Sequence, residues 1–141
     1  MRYLLDTNVI SELRKAGTPR VNPQVVKWAN SVDAQEMFIS VLTLMEIEKG
    51  ILAFARKDPQ QAHLLMRWYQ ERVLIEFAWR TLAIDSNVAR RCAQLHVPDA
   101  RPHTDALIAA TALEHDLILV TRNVRDFEGS GVVLLNPWDE K

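Results

Sequence analysis

The sequence predicts an α/β fold in three layers, with about five short parallel strands and helices on both faces of the sheet. Two patterns carry this expectation. Short apolar runs without polar alternation recur along the 141 residues, as strands buried on both faces require. Between them lie longer segments whose apolar residues return every three or four positions, the spacing of one helix face. Alternation of the two patterns marks a parallel sheet joined by crossover helices. The length is that of one domain, 1–141, and no repeat, low-complexity stretch or long linker marks a boundary within it.

Arg2-Tyr3-Leu4-Leu5 reads as the first strand, and Asp6-Thr7-Asn8 turns it into a helix that stops by Gly17 and Pro19. Asn22-Pro23 is a cap followed by proline at the first helical position, with Val25, Trp28, Ala29 and Val32 at helical spacing. Met37-Phe38-Ile39-Ser40 is the second strand. Leu44, Ile47, Ile51 and Ala55 then describe one helix face. Asp58 with Gln61 has the form of a capping box opening a further helix over Ala62, Leu65, Met66, Tyr69 and Val73, so that the two helices form a hairpin. Thr81-Leu82-Ala83-Ile84 is a third strand, and Asp85 caps a helix burying Ala89, Cys92 and His96 before Pro98. The alanine-rich stretch 104–115 is helical, and Leu117-Ile118-Leu119-Val120 and Val132-Val133-Leu134-Leu135 complete the sheet.

Hydrophobic residues at 48% and charged residues at 25% are those of a soluble globular chain. Seventeen Lys and Arg against 18 Asp and Glu leave a formal charge of −1, so no global positive field attracts a polyanion. Any nucleic acid must be met by local neutralisation. A lone Cys92 excludes an intrachain disulfide and a multi-cysteine zinc site. The absence of a secretory pattern at Met1 and of a membrane-spanning apolar run leads to the expectation of a cytoplasmic protein with no membrane partner.

In open parallel sheets, ligands bind outside the carboxyl ends of the strands. Asp6 lies at such an end, Glu46 follows the second strand by about one helical turn, Asp105 begins the helix feeding the fourth strand, and Asn123 and Asp126 lie just beyond that strand. Each acid has an ordinary use alone, as a cap, a partner of a helix dipole or a solvated charge. Together they repel and raise one another's pKa unless a cation sits among them. Magnesium answers that conflict, since it accepts a few carboxylates and keeps positions for water and phosphate.

Four strings, LLDTNVISEL, SVLTLMEIEKG, HTDALIAATALEHD and LVTRNVRDF, occur in an order and spacing that resemble the PIN domains, and among them the VapC toxins of type II toxin-antitoxin pairs. The terminal LLNPW is similar to the FitB-like branch. The resemblance implies a PIN-like three-layer sandwich and an endoribonuclease that cleaves RNA phosphodiesters with a metal-activated water, using Mg2+ or, as a substitute, Mn2+. It places Asp6, Asp105 and Glu46 as metal ligands, with Thr7, Asn8 and Thr121 supporting the site. An acid that some relatives carry after the TR pair is Asn123 here, which leaves Asn123 and Asp126 as alternatives for the fourth position. It further implies a homodimer silenced by a VapB-like antitoxin.

Other residues receive structural readings. His63, His96, His103 and His115 lack metal-ligand spacing, although His103 stands near Asp105. Cys92 and most of Trp28, Trp68, Trp79 and Trp138 are assigned to packing. The pairs Arg14-Lys15, Arg56-Lys57 and Arg90-Arg91 are solvated helix faces, whereas Arg122 and Arg125 flank the acidic rim and are candidate RNA contacts. Phe54, Leu64, Met66, Trp68 and Tyr69 give the hairpin more apolar surface than one buried face holds, the expected origin of an interface. A phosphoacceptor receiver domain also places acids and magnesium at a sheet edge, but Thr7-Asn8 follows Asp6 where that pattern has a second acid, and Asn136-Pro137 follows the last strand where it has a lysine. A PIN domain retained only for binding is disfavoured by the presence of all three core acids.

Overall fold

The structure, a computed structural model, describes residues 1–139. Five parallel strands run in the order β3-β2-β1-β4-β5. Strand β1 (Tyr3–Leu5) lies at the centre, between β2 (Met37–Ser40) and β4 (Ile118–Val120), with Tyr3 opposite both Met37 and Ile118. The edges are the two-residue strands β3 (Thr81–Leu82) and β5 (Leu134–Leu135). Successive side chains of a strand point to opposite faces. Leu4 and Leu119 accordingly enter one core cluster with Ile108, Ala109 and Phe127, while Leu5 and Val120 enter the other with Val9, Ile10, Ile47 and Phe77.

Helix starts follow the caps. Asp6 opens α1 (Thr7–Leu13), Asn22 opens α2 (Pro23–Asn30), Ser40 opens α3 (Val41–Phe54) and Asp58 opens α4 (Pro59–Trp68), each with its side-chain oxygen accepting a backbone N–H of the first turn. Such caps satisfy donors that the helix itself leaves unpaired. After α4 the chain widens into a π-turn, Tyr69–Val73, before α5 (Leu74–Glu76). The sequence pattern gave no sign of that turn. It buries both Tyr69 and Val73, and the Tyr69 hydroxyl donates to Leu44 O at 3.3 Å.

Helix α6 (Ser86–Leu95) packs closely on α7 (His103–Glu114), whose small Ala106 and Ala110 meet Val88 and Cys92. The expected burial of Ala89 is corrected: Ala89 is exposed and Val88 is buried instead. Asp85 bonds Val88 N–H and sets the helix phase so that Val88 and Cys92, four apart, face inward. His96 is half-buried. The outer strands are shorter than their apolar runs, with Ala83 and Val133 exposed, because burial on both faces does not extend to those edges. Among the described residues no helix is long and apolar enough to cross a membrane.

Candidate active site at the carboxyl edge of the sheet

The N–H of Asp6 continues the β1–β4 pairing by bonding Val120 O at 2.9 Å, which fixes its side chain between the ends of the two central strands. One carboxylate oxygen accepts Thr7 N–H at 2.8 Å and the other accepts the Thr121 hydroxyl at 2.8 Å. Thr121 is fully buried, and its oxygen in turn accepts Asn123 N–H at 3.0 Å and Asn8 Nδ2 at 3.4 Å. The Thr7 hydroxyl donates to Glu46 Oε1 at 2.7 Å and so joins α3 to the same network. Asp105 stands in the first turn of α7, where the positive helix end favours a carboxylate.

These groups share one polar cleft of about 420 Å³, into which Asp6, Glu46, Asp105 and Asn123 face. Burial pushes the Asp6 carboxyl above its ordinary value, against the bonds from Thr121 and Thr7, and the charges of Glu46 and Asp126 push it further. Burial likewise raises Asp105, followed by the charges of Asp126, Asp6 and Glu46, and no hydrogen bond counters them. Asp6 and Asp105, from distant segments, thus both carry the influence of the Glu46 and Asp126 charges.

That mutual repulsion is the conflict a hard dication relieves, and the facing donors are all oxygens, the set magnesium takes. Among the described residues no three His, Cys, Asp or Glu side chains already stand close enough to enclose an ion. The donor set therefore fits magnesium held in part by water, a common arrangement for that ion, better than an all-protein cage.

The two candidates for the fourth position are placed differently. Asn123 lines the cleft, whereas Asp126 sits in the 3-10 turn Val124–Phe127, is exposed, and reaches Asp6 and Asp105 through its charge. Arg122 lines the cleft and Arg125, exposed on the same turn, does not. His103 does not line the cleft, and its ring lies 5.1 Å from that of His96, whose Nδ1 accepts Arg101 N–H. Burial raises the Cys92 thiol, which fits its packing role.

Ser11, Glu12, Lys15 and Trp138 also line the cleft, although the sequence reading did not place them there. A signal existed for Ser11 and Lys15, since Thr7, Ser11 and Lys15 are four apart and repeat a polar stripe along α1 and its extension. Glu12 is buried and accepts Asn22 N–H at 2.8 Å and Lys15 Nζ at 3.3 Å. The bond from Asn22, outweighing burial, holds its carboxyl below the usual range, with Lys15 and Arg122 contributing. Lys15 is thereby committed to Glu12, and Arg14 turns to the other side of α1, over the ring of Trp68.

Comparison with known proteins agrees with this architecture. The PIN domain family profile matches residues 3–129. Toxin FitB of Neisseria gonorrhoeae is 33% identical over 97% of this chain and 99% of its own, and Ribonuclease VapC14 of Mycobacterium tuberculosis is 46% identical over 56% of this chain and 74% of its own. Among solved structures, FitAcB from Neisseria gonorrhoeae superposes with a TM-score of 0.87 at 32% identity, covering 97% of this chain and 99% of that one. A structure of FitAB bound to an IR36 DNA fragment gives 0.88 at 30% identity, covering 99% and 97%. The chain belongs to the PIN domain family, and its similarities fall among the VapC and FitB toxins within it.

Proposed function

We propose that this member of the PIN domain family is a magnesium-dependent endoribonuclease and the toxin of a type II toxin-antitoxin pair. The observation that carries the reading is the convergence of Asp6, Glu46 and Asp105 in one cleft with Asp126 beside it, Asp6 and Asp105 both being raised by burial and by the surrounding acids. A relative named as a ribonuclease and another named as a toxin support the chemistry and the setting.

In this reading Asp6, Asp105 and Glu46 hold the ion, while Thr121, Thr7 and Asn8 fix the orientation of Asp6 and Glu46 before substrate arrives. When bound, magnesium neutralises phosphate charge and makes water easier to deprotonate. The chain's own contribution is positional. Asp6 accepts from Thr7 N–H and the Thr121 hydroxyl and, at 3.5 Å, from Asn8, so the chain itself orients this carboxylate. Asp126 raises the local negative potential and Asn123 presents an uncharged amide toward the cleft. Cys92 plays no part, which agrees with a mechanism needing no covalent intermediate.

RNA is the proposed substrate, with Arg122 and, farther out, Arg125 as its contacts; manganese substitutes for magnesium. A VapB-like antitoxin, a homodimer and a cytoplasmic setting complete the proposal. The partners find support in solved complexes such as FitAB. The dimer finds support in the exposed Met45, Leu52, Phe54 and Leu64 of α3 and α4. Tyr69, expected on that surface, lies in the core instead. The test is cleavage of a single-stranded RNA with magnesium and again in excess chelator. Cleavage that stops with chelator and returns with magnesium or manganese is expected, and undiminished cleavage in chelator defeats the reading.

A further inference from the structure

The mouth of the acidic cleft contains a cation whose side chain rests on an aromatic ring. Because β4 and β5 are parallel neighbours, with Val120 opposite Leu135, the segments that follow them leave the sheet side by side. Thr121 N–H bonds Leu135 O at 3.0 Å and continues that pairing. Arg122 then extends from one segment and Trp138 from the other. The turn bearing Trp138 is pinned by Asn136, whose side-chain oxygen accepts Trp138 N–H at 3.0 Å, and the indole packs against the main core cluster. The guanidinium carbon of Arg122 lies 5.4 Å from the centre of that ring, and the Arg122 backbone N–H donates to Asn8 Oδ1 at 3.3 Å.

Both residues line the cleft that holds Asp6, Glu46 and Asp105. The other cation there, Lys15, is bonded to Glu12. Among the described residues Arg122 forms no ion pair within salt-bridge distance; its charge reaches Glu12 only as a weak influence. A guanidinium held over an indole by a cation–π contact can keep N–H donors free, the fork that binds phosphate through two bonds. An otherwise acidic cleft that accepts a polyanion needs such a group, because bulk charge supplies none.

We propose that Trp138 is a positioning residue that holds the Arg122 guanidinium at the cleft mouth, where it binds a backbone phosphate of the RNA strand. The proposal rests on the nuclease reading above. The cation–π contact restricts the arginine before substrate arrives, so the pair acts on substrate affinity. Turnover depends on the acids instead.

The test measures kcat and KM for a single-stranded RNA of mixed sequence with magnesium, and binding of the same RNA by anisotropy over a salt series in an Asp105→Asn background. R122A is expected to raise KM about tenfold, leave kcat within about twofold, and flatten the slope of log affinity against log salt by about 0.7, the contribution of one phosphate on a single strand. W138A is expected to raise KM about threefold, as loss of one cation–π contact implies, and to add nothing in the R122A background. W138F is expected to restore most of the loss. Should W138A fail to fold, R122K provides the test: the salt slope stays while KM rises about threefold, since an ammonium does not stack flat. A wild-type KM in R122A, an effect of W138A that is equal in both backgrounds, or a wild-type KM in R122K overturns the proposal and leaves the nuclease intact. Salt-dependent binding without cleavage by the wild type overturns the nuclease reading alone, and neither binding nor cleavage overturns both.

Discussion

Helix α1 separates two hollows of opposite character. On one side Thr7, Asn8, Ser11 and Glu12 face the polar cleft of about 420 Å³. On the other, Ile10, Leu13 and Arg14 join Leu5, Met37, Trp68 and Phe77 around an apolar hollow of about 230 Å³. Residues one position apart thus serve different ends: Ile10 packs and Ser11 faces acids. The apolar side is built from aliphatic and aromatic contact, with Arg80 clamping its edge by donating to Ala34 O and Met37 O. The polar side is built from a few directed bonds around a charge that burial disfavours. A fold holds such a charge only while stabilisation elsewhere exceeds its cost, and the packed face of α1, with Val9 and Ile10 in the main core cluster, supplies part of that stabilisation.

The largest expected effect lies on the polar side. Asp105→Asn should lower cleavage by about a thousandfold or more, the scale of losing a group that acts on the transition state, with the melting temperature of the metal-free protein no lower than wild type. Asp105 is the cleaner choice, because Asp6→Asn also exchanges an oxygen that accepts from Thr121 for an amide donor. Circular dichroism and cleavage rates decide it, and an unfolded D105N would assign that acid to the fold instead.

A smaller effect joins the two roles. Thr121→Val keeps the shape of a fully buried side chain but removes the hydroxyl that donates to Asp6. We expect a loss of about 1–2 kcal/mol in denaturant unfolding, because an acceptor at a buried carboxylate goes unmet, together with reduced cleavage. Thr121→Ser should recover both. Normal activity in T121V would show that Asp6 is held well enough by Thr7 and Asn8.

Across the helix, Ile10→Val should cost about 1 kcal/mol of stability and leave kcat and KM unchanged. Altered kinetics in this variant would mean that the two sides of α1 are not separable.

The smallest expected effect is a pH slope. Asp6 and Asp105 are raised from the ordinary aspartate value of 3.8, so between that pH and their raised values the folded chain holds protons that the unfolded chain has released. Their contribution to stability is full below 3.8 and is lost as pH rises through the raised values. Glu12 acts oppositely, since its lowered carboxyl stabilises above 4.5 and that contribution is lost as pH falls. Unfolding of D105N and wild type without metal, compared from acid to neutral pH, isolates the first effect: the difference should widen in favour of D105N as pH rises and shrink when magnesium is added to both. A constant difference would mean that Asp105 is not strained by its neighbours.

The amino-acid sequence alone determined the class of fold and the identity of the acids. Apolar runs mark the central strands because they are buried on both faces, and Asp6, Asn22, Asp58 and Asp85 mark helix starts because a short side-chain oxygen meets local donors. These signals are local in sequence. Tertiary structure alone decided which groups meet. Thr7 with Glu46, Thr121 with Asp6, and Arg122 with Trp138 are pairings separated by 39, 115 and 16 positions that only the order of strands brings together. The same holds for the division between Asn123 in the cleft and Asp126 beside it, and for Val88 rather than Ala89 in the core, because a cap bond sets a helix phase that two adjacent apolar residues leave open. Periodicity specifies a face, but its partner depends on long-range closure of the sheet.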